Sequence, residues 1–384
     1  MTSRLEIRPA QTPEERLDFV RFQWTVYRDD PYWVPPLISE RVAFLDPQRN
    51  PFYRHADLAL FTARRDGEVV GTIAALVNHR HNEYWNERVG FFGLFEVIED
   101  RETAEALLER ACDWVRQRGM TAIRGPANFS TNEEIGLLVD GWDGPPVIMM
   151  TYNPRYYVDF IEGAGFTKAM DLLAYMVDLE TFHRDGIPER LLRVARKVEE
   201  RRGVRARPID MRHFDEEVAR FKEIYNSAWS RNWGFVPLTE EEIEHIAAQL
   251  RQILDPDLCF FVEKDGQPIG AALILPDLNQ PLLKAYPRPG TPEWWTLLKL
   301  VWYWKVRRTV DTARAYAGGV IEPHRGVGAD AVMAAAVGQA LLRKGYRRLE
   351  ISWILENNVM MRRMAEAFGG RVYRTYRVYE KALR

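Results

Sequence analysis

Gly319-Val320-Ile321-Glu322-Pro323-His324-Arg325-Gly326-Val327-Gly328-Ala329-Asp330 decides the fold, and it runs directly into the helical stretch Ala331–Lys344. An apolar strand enters a glycine-bearing turn, and the turn opens a helix. The first N–H groups of a helix have no partner inside it, and the helix dipole puts partial positive charge there. Such a turn suits a pyrophosphate. Glycine lets the backbone approach phosphates with no Cβ in the way, and Arg325 offers charge-assisted contacts.

Downstream, Arg347-Arg348-Leu349-Glu350-Ile351-Ser352-Trp353-Ile354-Leu355 alternates as a strand. Glu356-Asn357-Asn358 comes next, then a helix through Phe368, Gly369-Gly370 and a closing strand, Val372–Glu380. This order resembles the GNAT superfamily of acyl-CoA N-acyltransferases, whose loop reads Arg/Gln-x-x-Gly-x-Gly/Ala. Arg325 and Gly328 fill the first and fourth places, and Asp330 stands at the sixth. Asn358 and Gly369 match the family's Asn and Gly, while Ala365 stands where many members carry a general-acid Tyr. The resemblance implies acyl-CoA or acetyl-CoA as co-substrate, an amine acceptor and no metal. It implies a cofactor site at Val320, Ile321, Arg325, Gly326, Val327, Gly328, Ala329, Asp330 and Asn358. A carboxylate at Asp330 would repel phosphate, or else serve the helix as an N-cap or first-turn acid.

The chain has 384 residues, 46% of them apolar, and a net charge of −2. That length exceeds what one core usually spans, and the charge gives no pull toward nucleic acid. Cys112 and Cys259 sit far apart in apolar contexts, so a disulfide framework is not expected and a cytoplasmic location is the default. The start, Met1-Thr2-Ser3-Arg4-Leu5-Glu6, lacks an apolar signal core.

The sequence also repeats. Phe61–Gly71 reads as a hairpin with an Asp66-Gly67 turn, and Phe261–Gly270 does the same around Asp265-Gly266. Ala164-Gly165-Phe166 leads into a strand as Gly369-Gly370 does. Both offsets are about 200 residues. The expected architecture is α/β: two tandem GNAT-like domains, each a mixed, mostly antiparallel sheet flanked by helices. The N-terminal, degenerate domain takes residues 1–180, a linker helix 181–203, and the C-terminal domain with the acyl-CoA site 204–384. In the first half the strand Val89–Val97 ends at Ile98-Glu99-Asp100-Arg101-Glu102, with acids where phosphates would sit. The cofactor is therefore expected in the second half alone.

For the acceptor, the loop around Gly125–Glu134 and the stretch Tyr152–Tyr157 offer Asn128, Ser130, Asn132, Glu133, Tyr152 and Asn153, which orient an amine or hydroxyl or else cap helices. Glu356, at the end of a strand whose face carries Glu350 and Ser352, is the candidate base, and Tyr376 the candidate replacement for the missing Tyr. His79-x-His81 reads as a polar strand end, with no partners to complete a metal set. The segment Arg190–Arg207 carries eight Lys or Arg and reads as a solvated amphipathic helix with Leu191, Leu192, Ala195 and Val198 on one side.

Trp294–Arg308 is apolar almost all round, with four tryptophans and a basic end. A helix buried between domains is expected; a wall for a long acyl chain or a transient membrane-surface contact are the alternatives. The function so read is an N-acyltransferase acting on a small-molecule or lipid-like amine. An aminoacyl-tRNA-dependent transferase of Fem type, or a non-catalytic GNAT-fold protein, is the alternative.

Overall fold

The computed structural model describes residues 4–383. Its strands are β1 (Leu5–Pro9), β2 (Ala56–Arg65), β3 (Glu68–Asn78), β4 (Val89–Val97), β5 (Ala122–Gly125), β6 (Ala127–Asn128), β7 (Glu134–Ile135) and β8 (Leu137–Asp140). They continue with β9 (Thr167–Asp178), β10 (Val204–Pro208), β11 (Cys259–Lys264), β12 (Gln267–Pro276), β13 (Thr312–Val320), β14 (Arg348–Leu355) and β15 (Arg371–Ala382). The chain forms two compact units. The first holds Met1–Leu172, Asn279–Arg307 and Arg374–Arg384; the second holds Leu173–Leu278 and Arg308–Tyr373. The division expected at 180 and 204 runs along the chain, and these units do not. The linker helix belongs to unit 2, while residues 279–307 and most of the last strand belong to unit 1.

In unit 1 the strands run β1-β2-β3-β4-β5, then β15 and β9. Neighbours β1 to β4 are antiparallel, and β4 pairs parallel with β5. The helix Arg101–Arg116 buries Leu107, Leu108, Ala111, Cys112 and Val115 against Phe61, Ile73, Phe92 and Ile123. Its apolar residues recur at helical spacing, and each large aliphatic side chain so buried contributes about 1.5–3 kcal/mol.

Unit 2 repeats the frame as β10-β11-β12-β13-β14, with parallel pairing only between β13 and β14. Here the helix Ala329–Lys344 supplies Val332, Ala335, Ala340 and Leu341, and Ala195 and Val198 of the helix Glu189–Arg202 close the same core. These are residues of the apolar side expected from the sequence, although the helix is not simply solvated.

The duplication is visible residue by residue. Asp66-Gly67 and Asp265-Gly266 all have positive φ, the conformation of a two-residue hairpin turn. Each hairpin has a register shift just before its turn, at Ala63/Arg64 and at Val262/Glu263. At the far end, Gly71 pairs with Val97 and Gly270 with Val320. The last residues of β4 and β13 are therefore equivalent.

Candidate functional site

In unit 2, β13 pairs with β14 only from Thr312 to Ala315, opposite Arg348 to Ile351, whereas its pairing with β12 continues to Val320. Past Ala315 the two parallel strands part. At the foot of this opening the Arg314 Nε donates to Ser352 Oγ at 2.9 Å, and Ser352 and Tyr373 hydroxyls both donate to the Glu350 carboxylate. Glu350 is fully enclosed, and Arg314 lies 3.8 Å from it. A carboxylate taken out of water this far is tolerable only with such partners. Strand alternation alone puts Glu350 and Ser352 on a face shared with Glu356; burial by β13 and Tyr373 makes the first two a structural ion-pair network instead.

After Val320 a single turn of 3-10 helix, Glu322–His324, leads to the glycine turn. Gly326 and Gly328 have φ of +75° and +90°, and Gly328 is the N-cap of Ala329–Lys344, with no side chain capping that helix. The backbone N–H end of the helix is thus served by glycine and not by a carboxylate or hydroxyl cap. A Cβ on Gly328 would lie 2.6 Å from Val198 Cγ2, whereas one on Gly326 would meet open space. Arg325 turns inward: its guanidinium donates to the carbonyls of Val320 at 3.2 Å and Ala228 at 2.7 Å, so it staples the loop. Arg202 Nη1 braces it from the other side through Val327 O. Asp330 sits in the first helical turn and is not the N-cap; burial raises its carboxyl pKa, against a smaller opposing pull from Arg325. Ile321 N donates to Ile269 O, and Ala329 is buried. Asn358 caps the helix Val359–Ala367, accepting from Met361 N at 3.2 Å, and Ala365 packs in its core. Glu356 is half-buried, and its carbonyl accepts from Arg362 Nη1. These residues fit a phosphate-bearing ligand through backbone N–H groups, with Asp330 the one group against it.

Unit 1 treats its expected residues differently. Asn128 Oδ1 accepts from Leu94 N at 2.8 Å, and a Cβ on Gly93 would come within 1.9 Å of Ala127 O. The segment β6 therefore packs directly on β4 beyond Phe91, where its pairing with β5 ends. Asn153 is buried, its amide bonded to both Leu138 N and Leu138 O. It is not the N-cap of the helix Tyr156–Gly163, which begins after Arg155. Ser130 and Glu133 hold their own loop, accepting from Asn132 N and Phe129 N; no helix starts there. Tyr376 is completely enclosed, its Cβ close to Gly136, so a proton donor open to solvent it is not. His79 and His81 lie in the helix His79–Trp85, not on a strand, and His81 is buried with its pKa pushed down by that burial.

Tyr152 does line a cleft. Together with Tyr27, Asp30, Tyr32, Trp142 and Arg155 it borders an open space of 590 Å³, its hydroxyl 2.9 Å from Asp30 Oδ2. Behind Tyr27 stands a residue that sequence reasoning missed. Glu96, on β4 next to Val97, accepts from the hydroxyls of Tyr27 and Tyr157, each at 2.9 Å, and from Gln23 Nε2 at 3.3 Å. Burial pushes its carboxyl up to about 7, and pushes both tyrosines well above their usual value. A carboxyl of this kind exchanges a proton near neutral pH. The signal was a lone acid closing the otherwise apolar run Val89–Val97.

No protein-family model matches the chain. Among solved structures, a tandem GNAT protein from the clavulanic acid biosynthesis pathway superposes with a TM-score of 0.58, 16% identity and 99% of both chains covered, which shows the fold. The chain is 40% identical over 384 residues to a bacterial ceramide synthase of Caulobacter vibrioides (strain NA1000 / CB15N), covering 99% of this chain and 98% of that one. It belongs to that family. Protein YghO of Escherichia coli (strain K12) is a further relative, 34% identical over 371 residues, with 95% and 92% covered. The chain is accordingly a tandem GNAT-fold acyltransferase, and the non-catalytic alternative falls. Among the described residues no group of three metal-binding side chains is found, and no helix is long and apolar enough to cross a membrane.

Proposed function

We propose that this protein transfers an acyl group from acyl-CoA to the amine of a long-chain amino alcohol, giving an amide-linked lipid of the ceramide type. The observation that carries this is the whole-length identity of 40% with a protein named bacterial ceramide synthase. The donor's pyrophosphate is assigned to the backbone N–H groups of Gly326, Val327, Gly328 and Ala329 in unit 2, and the edge at Val320 and Ile321 to its acyl-bearing arm. This is supported by the left-handed glycines and the helix start without a side-chain cap.

The amine is assigned to the unit 1 cleft at Asp30, Tyr152 and Trp142. Glu96, which accepts from the hydroxyl of the cleft-lining Tyr27 at 2.9 Å, takes the role of proton acceptor, supported by that link and by its pKa of about 7. Glu356 is the rival base, since it is only half-buried. For the transfer to balance, the ammonium gives one proton to a carboxylate, the amine nitrogen bonds to the thioester carbonyl carbon, the C–S bond breaks, and the second proton lost by that nitrogen ends on the leaving sulfur as the thiol.

The test incubates the purified protein with palmitoyl-CoA and sphinganine, following free thiol and the amide by mass spectrometry. Equal amounts of thiol and amide are expected. Failure to form any amide, under conditions where the Caulobacter relative does, overturns the reading. Amide formation only with aminoacyl-tRNA would favour the Fem-type alternative.

A further inference from the structure

The helix Glu293–Val301 and the π-helical turn Trp302–Val306 that extends it are turned inside out. Their polar Thr296 is buried, while Trp294, Leu298, Val301 and Trp302 point to solvent at 63%, 55%, 51% and 54% exposure. Trp295, Leu297 and Val306 flank them on the same side. Seven of the thirteen exposed large hydrophobics among the described residues thus fall on one face of one short segment. The spacing of these residues, three and four apart, makes the face continuous. Scattered exposed apolar residues need no explanation, but a contiguous patch does. The segment is firmly held in unit 1 rather than loose: Glu293 accepts from Ser39 N at 3.0 Å, Trp24 Nε1 donates to Pro287 O at 2.9 Å, and Asn279 Nδ2 to Pro146 O.

Beyond Glu293, the charges that the segment itself carries have one sign. Lys299 lies 5.7 Å from the Trp295 ring, Lys305 sits over Trp304 at 3.5 Å, and Arg307 is exposed just beyond. Glu293, the only acid of the segment, is at its far end and taken up by Ser39. Tryptophans with an aliphatic centre and a cationic rim match the boundary of a bilayer, where indole sits at headgroup level and lysine or arginine reaches anionic lipid. The sequence pattern favours a helix buried between domains here; the exposure of its apolar face excludes that.

We propose that this face docks unit 1 on an anionic lipid bilayer, lying in the headgroup region without crossing the membrane. That the docked surface is where the amine is collected rests on the functional reading above, because a long-chain amino alcohol resides in membranes. The docking itself does not.

Flotation of the whole purified protein, without substrates, tests it against vesicles of phosphatidylcholine alone and with about a third phosphatidylglycerol. Wild type should float with the mixed vesicles and at least about tenfold less with the neutral ones. Leu298→Glu and Trp302→Glu, both at exposed positions, should each lower binding at least about tenfold with unchanged melting temperature. Lys305→Glu with Arg307→Glu should remove the preference for anionic lipid. Wild type left at the bottom with both vesicles, or Trp302→Glu floating like wild type, overturns the proposal. So does a dimer in sedimentation that Trp302→Glu dissolves, which would make a second copy the occupant. Turnover of detergent-dispersed amine by the wild type separates the two readings: turnover without vesicle binding overturns only the docking, and vesicle binding without any turnover overturns only the function.

Discussion

The strand ending at Val97 and the strand ending at Val320 occupy the same place in two copies of one frame, yet the turns after them differ. After Val97 three residues, Ile98-Glu99-Asp100, suffice to start the helix Arg101–Arg116. After Val320 the chain spends eight residues and two left-handed glycines before Ala329. The short turn fills the helix start with acids, and Arg65 holds Asp100 at 2.7 Å and Glu102 at 3.0 Å. The long turn leaves the start to backbone N–H groups. One position earlier the asymmetry reverses. Unit 1 carries Glu96 with its two tyrosines; unit 2 carries Gly319, where a Cβ would press on Trp229 Cη2 at 3.1 Å. One repeat has the glycine turn without the acid, the other the acid without the glycine turn. The two copies share the frame and differ in the groups at its strand ends.

The sharpest way to break this comparison is Glu96→Gln. If Glu96 accepts the proton, turnover should fall about 10²–10⁴-fold, and the rise of rate with pH through about 7 expected of wild type should disappear. Glu356→Gln should change turnover little. A pH profile identical in Glu96→Gln and wild type removes the acid from the scheme. Stability gives an independent reading. The fold raises this carboxyl from 4.5 to about 7, so it favours the protonated form. The stability present below about pH 4.5 is lost as pH rises through 7, and Glu96→Gln should be the more heat-resistant protein at pH 8, by on the order of 2 kcal/mol, with no advantage at pH 4.

Next in size is Gly328→Glu, which combines a positive φ, a clash with Val198 and a new carboxylate. Calorimetry should find CoA binding weakened at least about 100-fold, while Glu102→Gln in the first helical turn after the short connection leaves it unchanged. Equal binding by Gly328→Glu and wild type would move the cofactor elsewhere. Gly326→Ala isolates the backbone contribution, because the added methyl meets nothing. Left-handed strain of about 1–2 kcal/mol predicts a modest loss in melting temperature and an affinity reduced about fivefold.

The smallest expected effect is at Asp330. Asp330→Ala should tighten CoA binding about two- to fivefold if the carboxylate faces the phosphates. A lower melting temperature with unchanged affinity would instead make it a first-turn helix acid and nothing more.

The strand, glycine turn and helix, and both Asp-Gly hairpins, were legible because each is fixed by residues within a few positions of one another: positive φ wants Gly or Asp, and a helix start wants small or polar residues. β1, β4 and the helix ending at Lys344 fall where periodicity put them. The same local logic misjudged Asn153 and Ser130: the Asn153 side chain turns to Leu138 and leaves the next helix to start after Arg155, and Ser130 holds Asn132 N in a loop that starts no helix.

By itself, then, the sequence determined the duplicated α/β frame and the turn that suits a phosphate, since both are written in short-range pattern. Only the tertiary structure decided which polar groups are buried and what they meet. Glu96 meets Tyr27 and Tyr157 across 69 and 61 residues of chain, and desolvation, not sequence neighbours, sets its proton affinity. Glu350 is sealed by Arg314, Ser352 and Tyr373. The tryptophan helix shows its apolar face to solvent because residues far away in sequence pack against its other side, and a pattern that is apolar almost all round cannot say which side that will be.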